Sequence, residues 1–242
     1  MRPALPLILL IPLVACGSLG SADCPQADAF TGADASCDGD HLDIESDGLP
    51  EYAYDDVSGM GLTAQDHAWS IPLAPALLDT PRELPLVGEI GVTVEGLPIS
   101  PPNDGPAWGY GDPLAEGRLD ACGGHTGMAG DYHVHAPGAC ADTTPGAVIG
   151  YALDGHPIVT PWVCGDDDCV TKHKVASSWQ QTTPAERNPW YAWSFVEGSG
   201  DLDRCNGMTL DDGTYAYVAT DGFPYGPGCF VAEPALEPLG AH

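Results

Sequence analysis

The chain has 242 residues, 35 acidic against 7 basic, with a formal charge of −28 and 43% hydrophobic residues. That charge excludes nucleic acid and anionic membrane surfaces as partners, because both select a cationic face. The length and apolar content suffice for one large or one internally duplicated domain with its own core.

Residues 1–15 read as a lipoprotein signal peptide. Arg2 precedes an apolar run from Leu5 to Val14 that is too short for a bilayer and is broken by Pro6 and Pro12. The run ends in Leu13-Val14-Ala15-Cys16, so Cys16 is the expected lipidation site, with acyl chains holding an aqueous domain to a membrane. The expected location is the bacterial cell envelope, facing periplasm or exterior, and the lipid anchor is the expected membrane contact. The other eight cysteines form an even set, as suits an oxidising compartment. Proximity along the chain pairs Cys24 with Cys37, Cys122 with Cys140, Cys164 with Cys169 and Cys205 with Cys229. No two CxxC pairs exist, which excludes a four-cysteine zinc knuckle.

Residues 16–40, rich in Gly, Ser, Ala and Asp, are expected to form a tether with a small disulfide loop. From His41 the pattern changes to short strand-like runs such as His41-Leu42-Asp43-Ile44-Glu45-Ser46, Gly91-Val92-Thr93-Val94 and Val148-Ile149-Gly150-Tyr151-Ala152-Leu153. With 31 Gly and 24 Pro and no sustained 3.6-residue apolar period, long helices are excluded. The expected fold is a mainly β, disulfide-stapled, internally duplicated sandwich or barrel-like domain with long loops over residues 41–232, followed by a tail at 233–242.

The duplication is read from two pairs of segments. Gly91-Val92-Thr93-Val94-Glu95-Gly96-Leu97-Pro98-Ile99 matches Gly150-Tyr151-Ala152-Leu153-Asp154-Gly155-His156-Pro157-Ile158, each with an acidic-Gly pair that signals a tight hairpin. Leu119-Asp120-Ala121-Cys122-Gly123-Gly124 matches Leu202-Asp203-Arg204-Cys205-Asn206-Gly207. The halves span about residues 87–140 and 146–230. The interval between matched segments is 28 residues in the first half (91 to 119) and 52 in the second (150 to 202), so the second half carries an insertion.

His125, His133 and His135 are the candidate metal ligands. On a strand, His133 and His135 point to one face. Three neutral imidazoles match the ligand count of an open Zn or Cu site. Asp120, with Asp131 and Asp154 as alternatives, is the candidate for orienting a ring N–H, and His156 at a hairpin tip is the candidate fourth imidazole. Aligning Cys122 with Cys205 puts Met208, Ala216 and Val218 at the positions of His125, His133 and His135. Every loss is on the histidine-bearing face and is apolar, which implies that this face is interior and packed in the second half.

Further along, Gly165-Asp166-Asp167-Asp168 could hold Ca²⁺ but lacks EF-hand spacing and is better read as a solvated disulfide loop. The aromatic segment from Trp179 to Phe195 is better read as core than as a glycan-stacking platform. The remaining histidines, His41, His67, His173 and His242, are isolated surface or capped residues in this reading.

The combination of Ile44-Glu45-Ser46-Asp47-Gly48-Leu49-Pro50, Trp69-Ser70-Ile71-Pro72-Leu73, Leu119 to His125, Tyr132-His133-Val134-His135, Ile149 to Gly155, Phe223-Pro224-Tyr225 and Gly228-Cys229-Phe230 resembles the bacterial YHYH domain family. The resemblance covers roughly residues 40–231. It implies a secreted or surface-attached domain and leaves the activity undefined. Where the family signature reads Tyr-His-Tyr-His, this chain reads Tyr132-His133-Val134-His135. The leading expectation is a lipoprotein that binds one transition-metal ion. The alternatives are a metal-free surface module for a protein or glycan and, third, a metal-dependent hydrolase with Asp131 or Asp120 as base. The HExxH, GxSxG, P-loop and GxGxxG motifs are absent.

Overall fold

Residues 24–166, 168–184 and 187–235 are described by the computed structural model. The signal segment, Cys16 and residues 236–242 lie outside them. Strands β1 (Asp34–Asp38), β2 (His41–Ser46) and β3 (His67–Pro72) form an antiparallel sheet in that order. Alternation turns Leu42 and Ile44 of β2, and Trp69 and Ile71 of β3, into the core. The segment expected to be a tether therefore folds in part. It supplies edge strand β1, the Cys24–Cys37 disulfide ties it down, and Phe30 stacks on Tyr151 at 5.9 Å.

Twelve further strands follow: β4 (Gly91–Thr93), β5 (Pro98–Ile99), β6 (Gly124–Thr126), β7 (Tyr132–Val134), β8 (Val148–Ala152), β9 (Pro157–Val159), β10 (Trp162–Cys164), β11 (Lys172–Lys174), β12 (Trp179–Gln181), β13 (Trp193–Phe195), β14 (Gly207–Thr209) and β15 (Tyr215–Val218). Eight of them form one curled sheet in the order β14-β15-β9-β8-β4-β5-β7-β6. Its register displays the duplication residue by residue. Gly91 pairs with Ile99 as Gly150 pairs with Ile158, and His125 pairs with His133 as Met208 pairs with Ala216. Ile99 lies beside Val134 in parallel, as Ile158 lies beside Tyr217. At the centre, antiparallel β4 and β8 pair Gly91 with Ala152, Val92 with Tyr151 and Thr93 with Gly150. The halves are thus related by a pseudo-twofold axis passing between Val92 and Tyr151.

The three-stranded sheet packs Leu42, Ile44, Trp69 and Ile71 against Val92, Tyr151, Ile158, Tyr217 and Phe230 of the larger layer, giving one apolar core. The four disulfides join Cys24 to Cys37, Cys122 to Cys140, Cys164 to Cys169 and Cys205 to Cys229, the pairs expected from proximity. The insertion forms two small hairpins, β10–β11 and β12–β13. Its Trp179, Trp190, Trp193 and Phe195 pack with Phe223 and Tyr225 as a core cluster. Among the described residues no α-helix occurs, and no helix is long and apolar enough to cross a membrane.

Candidate metal centre

The loop before β6 is built by one carboxylate. Asp120 accepts from the backbone N–H of Cys122 (2.9 Å) and Gly124 (3.1 Å) through Oδ1 and from the Tyr132 hydroxyl (2.8 Å) through Oδ2. Gly123 sits at φ +83°, where a Cβ would lie 2.1 Å from the Ala136 carbonyl oxygen, so only glycine fits. The Cys122–Cys140 disulfide closes the same turn. This frame delivers His125 opposite His133 across the β6–β7 hairpin, and the chain delivers His135 just beyond β7.

The three ring centroids form a nearly equilateral triangle with separations of 4.8, 5.0 and 5.0 Å. Each Nδ1 faces a backbone carbonyl: Arg118 for His125 (3.1 Å), Asp131 for His133 (3.2 Å) and Pro101 for His135 (2.7 Å). A carbonyl only accepts, so each Nδ1 carries a proton, and a ring in its neutral form presents a bare Nε2 lone pair. These lone pairs converge: His125 Nε2 and His133 Nε2 are 3.1 Å apart. Asp104 completes the group, its Oδ1 lying 3.5 Å from His125 Nε2 and 3.7 Å from His135 Nε2. One ligand atom from each of the four residues falls within 4.8 Å of all the others, so this cluster could hold a metal ion.

Burial tunes these groups. His135 is fully enclosed, and desolvation, reinforced by the neighbouring His133 and His125, pushes its pKa down to about 3. Burial opposes ionisation of Asp104, yet the neighbouring His125 imidazole and the Arg118 guanidinium outweigh it and hold its pKa at about 2. Arg118 Nη1 donates to Asp104 Oδ2, which leaves Oδ1 facing the imidazoles. The Asp104 loop is braced from the other half of the molecule. Trp190 Nε1 of the insertion donates to Asn103 Oδ1 at 2.9 Å, and Asn103 Nδ2 donates to the carbonyls of Leu86 and Asp104.

The sequence-derived candidates separate clearly in space. His125, His133 and His135 come together. Asp131 lies beside them, its Oδ2 3.5 Å from His133 Nδ1, and its pKa is lowered by that imidazole. Asp120 holds the turn and Tyr132, so the ring N–H groups are oriented by carbonyls in its place. Asp154 belongs to another buried network, accepting from the Tyr217 hydroxyl and the N–H groups of His156, Val231 and Ala232. His156 is corrected as a fourth imidazole: it packs edge-on to Tyr215 and Tyr217, and Asp104 takes the fourth place. Nothing in the sequence marks Asp104, one of 35 acidic residues and set in an irregular loop. His67, read as isolated, is largely buried, stacks on Trp69 and lies 3.6 Å from Glu89. Asp166 accepts from the Val170 and Thr171 N–H groups of its own loop, in keeping with a structural role there.

In the second half the same frame stands without the ligands. Asp203 accepts from the N–H groups of Cys205 and Gly207 and from the Tyr215 hydroxyl, reproducing Asp120 bond for bond. Asn206 takes the positive φ of Gly123, at +61°. The ligand positions are filled by Met208, Ala216 and Val218, which pack with Val159, Leu202 and Val175, the last supplied by the insertion.

Protein held in chelator should lose stability as the pH falls. Unfolded His135 protonates near its ordinary 6.5, whereas the folded residue resists down to about 3, so between those values the unfolded chain binds the extra proton. The stability is fully present above pH 6.5 and is lost progressively below it. At pH 4.5 the loss from this group is about 2–3 kcal/mol. Urea denaturation at pH 7.5 and 4.5 measures it, and an unchanged pH slope in His135→Gln would refute this assignment.

All four cluster residues line a cleft of about 480 Å³ that opens to solvent. No curated protein and no solved structure matches the chain. The model of the family described as YHYH protein matches residues 68–232, which takes in all but the first residue of β3, all of β4 to β15 and every residue of the histidine cluster. With more than half its length matched, and the signature motif forming the centre of the buried cluster, the chain belongs to the YHYH protein family.

Proposed function

We propose that this protein is an exported, lipid-anchored binder of one transition-metal ion, Zn²⁺ or Cu²⁺, held by Nε2 of His125, His133 and His135 and by Oδ1 of Asp104. One observation carries the reading. With each Nδ1–H committed to a carbonyl, His125 Nε2 and His133 Nε2 face each other at 3.1 Å, and when both rings are neutral they are two acceptors with no proton to share. Buried His135 Nε2 likewise has no hydrogen-bond partner. A cation among the four atoms resolves that arrangement, and three imidazoles with one carboxylate suit Zn²⁺ or Cu²⁺. The carbonyls of Arg118, Asp131 and Pro101 are the outer partners that fix ligating rings. The Cys16 motif and the four disulfides support an envelope location.

Elemental analysis of full-length protein purified after export should find close to one equivalent of Zn or Cu per chain. The His125→Ala/His133→Ala/His135→Ala variant should retain almost none, and Asp104→Asn should weaken affinity by roughly tenfold or more. Equal metal content in wild type and the triple variant would assign the cluster to a metal-free hydrogen-bond network.

A further inference from the structure

The cleft over the metal centre has walls unlike the rest of the surface. Six of the eleven large hydrophobic side chains exposed among the described residues line it: Val57, Met60, Leu86, Val87, Trp108 and Met128. Met128 is 79% exposed and Trp108 44%. Apolar side chains scattered singly over a surface carry no message, whereas their gathering around one concavity marks a ligand site. Its volume of about 480 Å³ is that of a small-molecule pocket and is too small for a folded partner to enter.

The floor of the same cleft is polar and charged, with one cation, Arg118, among the carboxylates of Asp104, Asp131 and Glu89. Arg118 lines it, stacked over Trp108 at 4.9 Å. Its Nε donates to Glu116 and its Nη1 to Asp104, while Nη2 is buried without a partner. In a chain with seven basic residues, one guanidinium stands beside the four candidate ligands. A bound divalent ion would add two positive charges beside Arg118, facing the carboxylates of Asp104, Asp131 and Glu89 that line the same cleft, so positive charge is concentrated at the ion and the guanidinium. The complement of such a pocket is an anionic, metal-ligating head on an apolar body.

We propose that the cleft binds a small amphipathic organic anion, whose head coordinates the metal ion beside Arg118 and whose apolar body lies against Trp108, Met60 and Met128. This rests on the metal reading above. The ligand's head would meet the ion from the cleft side, which all four protein ligands line.

Cobalt(II)-loaded full-length protein, titrated with acetohydroxamate and octanohydroxamate while the visible d–d bands are followed, tests this. Both probes should perturb the bands, and octanohydroxamate should bind at least tenfold more tightly, since each buried methylene adds affinity. Trp108→Ser/Met128→Ser, at two exposed positions, should lose most of that gain and keep the acetohydroxamate affinity. Equal affinity for the two probes on cobalt-loaded protein would overturn the proposal and leave the metal reading standing. Failure to take up cobalt, Zn²⁺ or Cu²⁺ would overturn both. Octanohydroxamate binding that persists in the triple-alanine variant would show an apolar site without a coordinated head, also against the proposal. A concentration-dependent dimer abolished by Trp108→Ser/Met128→Ser would assign the rim to a second copy of the chain.

Discussion

Reloading chelated protein with Zn²⁺ at a thousandfold excess over Kd should raise its melting temperature by roughly 8–16 °C. A ligand that binds only the folded state at that excess contributes about 4 kcal/mol. A domain of this size gains about 2–4 °C per kcal/mol. The effect is large because the unfolded chain holds no comparable arrangement. His125 and His133 meet only through the β6–β7 register, and Asp104 reaches them only through the folded loop braced by Asn103 and Trp190. Protons compete for the same lone pairs, so the gain should shrink as the pH is lowered through the ordinary histidine range. Calorimetry of wild type and the triple-alanine variant, each with and without metal, measures it. An equal shift in the variant would place the stabilising ion elsewhere.

The second large effect lies away from the cleft. Asp154→Ala should destabilise the protein by about 3–5 kcal/mol, because it strips the acceptor from several buried donors at once. Asp154 is fully buried, and its Oδ2 alone receives the Tyr217 hydroxyl at 2.5 Å and the N–H groups of Val231 and Ala232 at 3.1 Å. These bonds tie β15 and the C-terminal strap to the β8–β9 hairpin. Asp154→Asn, with its amide oxygen at the Oδ2 position, keeps those three bonds and loses the one from His156, so its cost should be about 1–2 kcal/mol. Urea denaturation of both variants separates the cases. Similar costs for the two would mean that cavity formation, rather than the unpaired donors, dominates.

Much of this was legible in the chain because the informative signals were local. The histidine trio is set by a hairpin whose register follows from a tight turn, and proximity sufficed to pair all eight cysteines. The apolar replacements Met208, Ala216 and Val218 foretold a packed counterpart, which the structure displays around Val159 and Val175. Other features depend on tertiary contacts that leave no period or spacing. Asp104 becomes a candidate ligand because a loop from between β5 and β6 folds over the hairpin and is held by a tryptophan 87 residues downstream. His156, placed by sequence at a suggestive hairpin tip, projects toward Tyr215. The segment before residue 40 has a linker's composition, yet its half-exposed β1 needs few apolar residues to serve as an edge strand. Asp120 is held locally for a related reason: a short acid two residues before a cysteine serves its own turn before it serves a neighbour.

The pseudo-twofold axis between Val92 and Tyr151 makes the seam between the two halves symmetric although the halves are not. Pairing of β4 with β8 maps onto itself when the halves are exchanged, which is the self-complementarity of an isologous dimer interface. One half carries the imidazoles, while the other carries Val175 and Trp190, the first packing at the positions equivalent to the ligands and the second steadying the loop that brings Asp104 to the cluster. The asymmetry is a division of labour within one frame, in which the half without imidazoles braces the loop that completes the cluster in the other.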